Sequence, residues 1–179
     1  MFSLGQKVVY PSYGVAHVSR IFQKEFGAQV VIFCELKFLS LDMTVMVPMD
    51  KAKEMGIRIL SSSLHIDTVF SSVVPREIDP CEIVSVNWNK RSKGYANKLK
   101  SGSLEDTFSI YYDLMYLSKT KQLSFGEATL LQKTETLLVE EIAAVKNYDN
   151  ARATEYVRSF IVVSPHLPYG SVRTSQQVV

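Results

Sequence analysis

Cysteine, tryptophan and histidine are scarce in this chain of 179 residues, which has two, one and three of them. Two cysteines, Cys34 and Cys81, are too few for a disulfide-stapled secreted scaffold and fit a reducing compartment. Nothing in the sequence favours a bridge between them. His17, His65 and His166 lie in three dissimilar regions, without HxxxH, HExxH or CxxC spacing, so a zinc site has no support. The phosphate-binding patterns GxGxxG and GxxxxGKS/T are missing, as is the GxSxG nucleophile elbow. Neither catalysis nor a cofactor is expected. No apolar run approaches the roughly 20 residues of a membrane span. The opening MFSLGQK lacks the apolar region of a signal peptide. A cytoplasmic protein with no membrane partner and no small-molecule substrate is the expectation. An excess of charge is also missing, since 20 Lys and Arg against 18 Asp and Glu leave a net +2. Any nucleic-acid binding must come from a local patch.

What is present is a soluble globular composition, 46% apolar and 21% charged, with enough apolar material for one domain or two small ones. The chain changes character near Ser61-Ser62-Ser63. Before it, short runs rich in Val, Ile, Phe and Tyr alternate with turn signals. Strands are expected at Gln6–Tyr10, Val15–Gln23, Gln29–Phe38, Met43–Val47 and Gly56–Leu60. Pro11-Ser12-Tyr13-Gly14 is a turn, and Glu25 to Ala28 is a hairpin connection. Met49–Met55 could form one helical turn. Cys34, inside the apolar run Val30–Phe38, reads as a small core residue.

After the boundary the apolar period becomes helical. Helices are expected at Leu64–Phe70, Glu82–Lys100, Leu104–Leu117, Phe125–Lys146 and Asn150–Ile161, with Pro75 and Pro80 punctuating a connector. Ser103 with Asp106 and Ser124 with Glu127 have capping-box spacing. Leu104, Phe108, Tyr111 and Met115 fall on one face, as do Leu131, Leu138, Ile142 and Val145, so both stripes read as core. The expected class is α+β with two domains: a small bent β-sheet or barrel over 1–62, a compact all-helical domain over 63–161, and a flexible tail over 162–179.

The one unusual stretch is NWNKRSKGYANKLKSG, residues 87–102. It holds the single tryptophan, Trp88, followed by Lys90, Arg91, Lys93, Lys98 and Lys100 with no acid. Two readings compete. On a helix, Val84, Trp88, Tyr95 and Leu99 share a face, so Trp88 could be a core anchor and the cations a solvated surface. Composition alone favours this reading. Alternatively, the cations neutralise phosphates while an exposed indole enters a groove or an unstacked step, with Asn87 and Asn89 bonding to the strand.

Four stretches together change the balance. GQKVVYPSYGVAHVSRI (5–21), MTVMVP (43–48) with DKAKEMGIR, residues 87–102, and LSFGEATLLQKTETLLVEEIA (123–143) resemble, in order, the motifs of the CarD/CdnL family of bacterial transcription regulators. The likeness runs over about residues 2–146, with the tail beyond Lys146 outside it or only weakly within it. The resemblance implies a Tudor-like amino-terminal module that docks on the RNA polymerase β subunit by edge-strand addition, through Val45, Met46, Val47 and Pro48. Met46 stands where some family members carry arginine, so an apolar contact is expected here. It also implies that the helical domain meets promoter DNA at the upstream edge of the transcription bubble. There Trp88 would wedge into the minor groove, with Asn87, Lys90, Arg91, Lys93 and Lys98 around it. Ala128 follows Gly126-Glu127 where the family can carry a basic residue, which removes one expected phosphate contact. Gly94 costs roughly 1 kcal/mol of helix propensity relative to alanine and could mark a bend that separates Trp88 from Tyr95. Two alternatives remain: a polymerase-binding adaptor whose helices recruit a protein, and a free-standing RNA binder.

Overall fold

The structure is a computed structural model and describes residues 2–26, 29–72 and 87–160. The expected helix start at Glu82–Val86, the connector with Pro75 and Pro80, Cys81, Val84 and the tail lie outside these residues.

The amino-terminal segments form one antiparallel sheet of five strands: β1 (Lys7–Tyr10), β2 (Gly14–Phe26), β3 (Gln29–Phe38), β4 (Thr44–Pro48) and β5 (Arg58–Ile59), in the order β4-β3-β2-β1-β5. Both ends of that order are unpaired among the described residues, so the sheet is open and not a closed barrel. The β1–β2 turn is built by Ser12 and Gly14, both at positive φ, with Tyr13 N–H donating to the Tyr10 carbonyl at 3.1 Å. The β2–β3 ladder reaches Phe26 opposite Gln29, so β2 is longer than its sequence pattern suggested. Stacked rings at Phe22 and Phe33 support that extension, since an aromatic cross-strand pair stabilises a ladder beyond the core. A register shift between Val18 and Arg20 bends the sheet. The face enclosed by the bend buries Val8, Ala16, Val18, Cys34, Leu36, Phe38 and Val47, closed by Ala52 and Ile57. Cys34 is a buried free thiol whose Sγ lies 3.5 Å from the Val47 carbonyl, and burial raises its pKa. Residues 49–56 form hydrogen-bonded turns and no regular helix.

Five helices follow among the described residues: α1 (Ser63–Ser72), α2 (Trp88–Ser101), α3 (Leu104–Thr120), α4 (Phe125–Lys146) and α5 (Asn150–Ser159). Helix α3 is buried on two faces. One face sets Leu104, Phe108 and Tyr111 against Ile66 and Phe70 of α1, Leu138 and Ile142 of α4, and Val157 of α5. The Phe70 and Phe108 ring centroids are 4.0 Å apart. The opposite face sets Ile110 and Leu114 against Tyr95 and Leu99 of α2. The helix starts follow the expected signals: Ser103 Oγ accepts from Asp106 N–H, and Ser124 with Glu127 forms a complete capping box. Helix α2 runs unbroken through Gly94, so the expected bend is absent and Trp88, Tyr95 and Leu99 keep a common face.

The sheet and the helices are joined by carboxylates of α4. Glu141 takes Arg58 in a two-pronged ion pair at 2.6 and 2.8 Å and also accepts from Ser61 N–H at 3.0 Å. Glu140 accepts from Val15 N–H at 3.1 Å, and Arg58 Nε donates to the Gly102 carbonyl at 2.7 Å. A side chain at Gly14 would collide with the Glu140 carboxylate. These contacts link positions more than 40 residues apart and fix where the helical unit stands on the sheet.

Candidate functional site

Two surfaces carry the residues singled out in the sequence. The first is β4, an edge strand paired only with β3 among the described residues, through Leu36↔Val45, Glu35↔Met46, Cys34↔Val47 and Phe33↔Pro48. Strand alternation divides its side chains. Val47 is fully buried and Val45 packs at the core margin, while Met46 points outward at 63% exposure. An unpaired edge is a template for another strand, and proteins usually blunt it with charge, proline or a bulge. Here Pro48 ends the strand, and the central outward position carries an apolar, polarizable side chain.

The second surface is a tip where two helix N-termini meet. Asn87 caps α2, its side chain accepting from Asn89 N–H at 3.0 Å, so Trp88 is the first helical residue. The indole neither hides in the core nor stands free. It is half-buried, packed at the margin of the cluster formed by Tyr95, Leu99, Ile110 and Leu114, with Leu130, Leu131 and Leu137 of α4 alongside. Its seat on α4 is Gly126. A Cβ there would lie 3.0 to 3.2 Å from three indole atoms, closer than ordinary contact, so the bare backbone lets the ring lie down on the helix start.

Beneath the ring is a charged network. Glu127 is 1% exposed, yet it accepts from Arg91 at 2.5 Å, Lys121 at 3.0 Å and Ser124 N–H at 2.8 Å. Burial by itself would raise the pKa of this carboxyl. The Ser124 backbone and hydroxyl and the Lys121 ammonium outweigh it and hold the pKa at about 2. The group is therefore a carboxylate at any ordinary pH. Arg91, only 10% exposed, lies with its guanidinium 5.9 Å from the Trp88 ring centroid. Expected as an outward phosphate contact, Arg91 is instead directed inward, tying α2 to the start of α4 beside the indole.

The remaining predicted cations divide. Lys90, Lys93 and Lys100 are exposed and form an outward stripe on α2, across the helix from the Tyr95 and Leu99 seam. Lys98 is half-buried and donates to Ser109 Oγ at 3.1 Å. Ala128 is exposed, just past the capping box. Sequence reasoning missed Glu127 as the organiser of the tip, although its capping-box spacing marked it. It also missed Phe125, which is 89% exposed. The available signal was a large aromatic placed off the apolar stripe of α4.

A small bent sheet with an edge unpaired among the described residues is thus locked to a helical unit that presents a half-buried tryptophan at one tip and a lysine stripe on the outward side of α2. Comparison with known families makes this specific. The family model described as the CarD-like/TRCF RID domain matches residues 2–61, and that of the CarD C-terminal domain matches residues 79–158. The chain belongs to the CarD-like family of transcription regulators, and this membership implies an interaction with RNA polymerase. The second match corrects the extent read from the sequence, since family likeness reaches past Lys146 through α5. The chain is similar to YdeB of Bacillus subtilis (strain 168), a candidate transcription factor, at 28% identity over 149 residues, 82% of this chain and 93% of that protein. It is also similar to the 72-residue amino-terminal domain of Myxococcus xanthus CarD, solved by NMR in solution. That match has 36% identity and a TM-score of 0.29, and covers 33% of this chain and 79% of that one.

Proposed function

We propose that this protein docks on the RNA polymerase β subunit through the β4 edge and contacts promoter DNA at the upstream edge of the bubble with the helical tip, stabilising the open complex. Residues 1–62 serve as the docking domain and 63–161 as the DNA-facing domain, and the protein works in the cytoplasm. In this reading Val45, Met46, Val47 and Pro48 form the docking strand, with backbone hydrogen bonds supplying affinity and Met46 an apolar side-chain contact. Trp88 is the wedge. Asn87 and Lys98 contribute from the same helix, and Lys90 and Lys93 on its outward side supply salt-sensitive attraction to phosphates, while Arg91 contributes by holding the indole's seat.

The observation that carries this reading is the tip itself. A half-buried indole with one side fixed by Gly126 and a buried ion network beneath it is pre-positioned, so it loses little freedom when its open side meets DNA. A few cations give weak DNA affinity alone. Tethering to polymerase raises the local DNA concentration and makes a weak second contact effective. A preference of about 1.4 kcal/mol for open over closed DNA shifts the equilibrium tenfold.

The test is the lifetime of promoter open complexes formed with cognate polymerase. The lifetime should lengthen with the wild-type protein, and the gain should vanish with a folded Trp88→Ala variant. The adaptor reading, in which the helices recruit a protein, predicts equal lifetimes for all samples.

A further inference from the structure

The DNA contact proposed above leaves one residue of the tip without a role. Phe125 is the first residue of α4 and the most exposed large apolar side chain described, at 89%. It is not a helix staple, because the residues that staple a helix start flank the cap at Leu123 and Ala128. Its ring is absent from every hydrophobic cluster of the described residues, although its neighbours are well placed: Gly126 supports the indole and Glu127 is buried in the ion network. Phe125 is one peptide step, about 3.8 Å between Cα atoms, from the residue on which Trp88 rests.

We infer that Phe125 is a second aromatic blade of the same DNA contact, stacking on a base at the fork beside the Trp88 wedge. The inference rests on the function proposed above and deepens it. The charge around the ring selects a nucleic acid over an apolar protein surface. Residues 118–126, SKTKQLSFG, contain Lys119 and Lys121 and no acid, and residues 87–102 contain none either. Glu127, the carboxylate next to the ring, is buried and bound by two cations, Arg91 and Lys121, and the next acid along the α2–α3 seam, Asp113, accepts from the Tyr95 hydroxyl at 3.5 Å. An exposed aromatic ring at the end of an acid-free, lysine-bearing segment matches a strand with exposed π-faces and a phosphate backbone. Trp88 is fixed on its seat, so it can hold a step open. Phe125 projects from the adjoining helix start and can engage a base that has already separated.

The test has two arms. First, open-complex lifetimes are compared for full-length wild type, Trp88→Ala and Phe125→Ala, each shown to be folded and polymerase-bound. Loss of one stacking contact should shorten the lifetime about fivefold in Phe125→Ala. A wild-type lifetime for Phe125→Ala alongside a shortened one for Trp88→Ala overturns the second blade and leaves the proposed function standing. Wild-type lifetimes for both variants overturn the proposed function and the blade with it. Second, a photoreactive phenylalanine analogue at position 125 is illuminated in the polymerase–promoter complex. Crosslinks to DNA near the upstream fork support the inference, whereas crosslinks to a polymerase subunit, or none, overturn it.

Discussion

Met46 and Trp88 stand on opposite kinds of ground. The β4 strand rests on an entirely apolar core, Val8, Ala16, Val18, Leu36 and Val47, and presents an edge unpaired among the described residues and an exposed methionine. The helical tip rests on a buried carboxylate with two cations, and offers a half-fixed indole, a free phenylalanine and exposed lysines. One surface is held by packing, so its strength should depend little on salt or acid. The other is held by charge, and its geometry depends on Glu127 remaining ionised. Helix starts supply this second mode at small cost, because a capping carboxylate already sits where backbone N–H groups and neighbouring cations converge.

The largest difference should come from the charge beneath the tip. Glu127→Ala leaves Arg91 and Lys121 facing a void, and breaking a buried network of this kind costs about 3–5 kcal/mol. Denaturant unfolding should show that loss, whereas Met46→Ala, at an exposed position, should change stability by less than about 0.5 kcal/mol. Acid sharpens the contrast. The folded-state pKa of Glu127, about 2, lies below its ordinary 4.5. Its stabilisation is therefore complete above the ordinary value and disappears as the pH falls through the folded one. Between pH 5 and 2 the wild type should lose about 3 kcal/mol that Glu127→Gln does not lose. Parallel pH curves for the two proteins would contradict the role given to the network.

Function separates the surfaces next. Trp88→Ala should shorten open-complex lifetime about tenfold while leaving polymerase binding unchanged. Its indole is half-buried, so the helical unit should keep its fold at a cost of about 1–3 kcal/mol. A smaller effect is expected at the edge. Met46→Ala should weaken polymerase binding several-fold, by about 1 kcal/mol, with the same ratio at low and high salt. The smallest and most local change is Gly126→Ala. Helix propensity gains about 1 kcal/mol while the crowded indole loses a comparable amount, so melting should hardly move. The indole must still shift on its seat, and lifetime should fall by less than in Trp88→Ala.

Local signals carried much of the architecture. The capping pairs Ser103–Asp106 and Ser124–Glu127, the stripe Leu104, Phe108 and Tyr111, and the alternation through MTVMVP each concern residues within one element, where a periodicity of 3.6 or 2 suffices. Residues 87–102 stood out as an acid-free basic run headed by the single tryptophan, and Trp88 at its head forms one side of the tip. The ion pair of Arg91 was hidden for a physical reason. In sequence it belongs to an unopposed basic run, and its partner Glu127 lies 36 positions away on another helix. Arg58–Glu141, across 83 positions, was invisible on the same grounds. The unbroken α2 shows tertiary packing overriding propensity, since Trp88 before Gly94 and Tyr95 and Leu99 after it join one apolar cluster with α3. Phe125 left only a faint mark, an aromatic off the apolar stripe of α4, because a side chain outside the hydrophobic clusters adds nothing to a periodic pattern.

The central claim, that docking and DNA contact are separate surfaces joined in one body, is tested most directly by titrating protein against open-complex lifetime. Met46→Ala should need more protein to reach half-effect and then attain the wild-type plateau. Trp88→Ala should keep the wild-type half-effect concentration and reach a lower plateau. If both variants shift the concentration and leave the plateau intact, the tip is part of the docking surface and the two-surface account is contradicted.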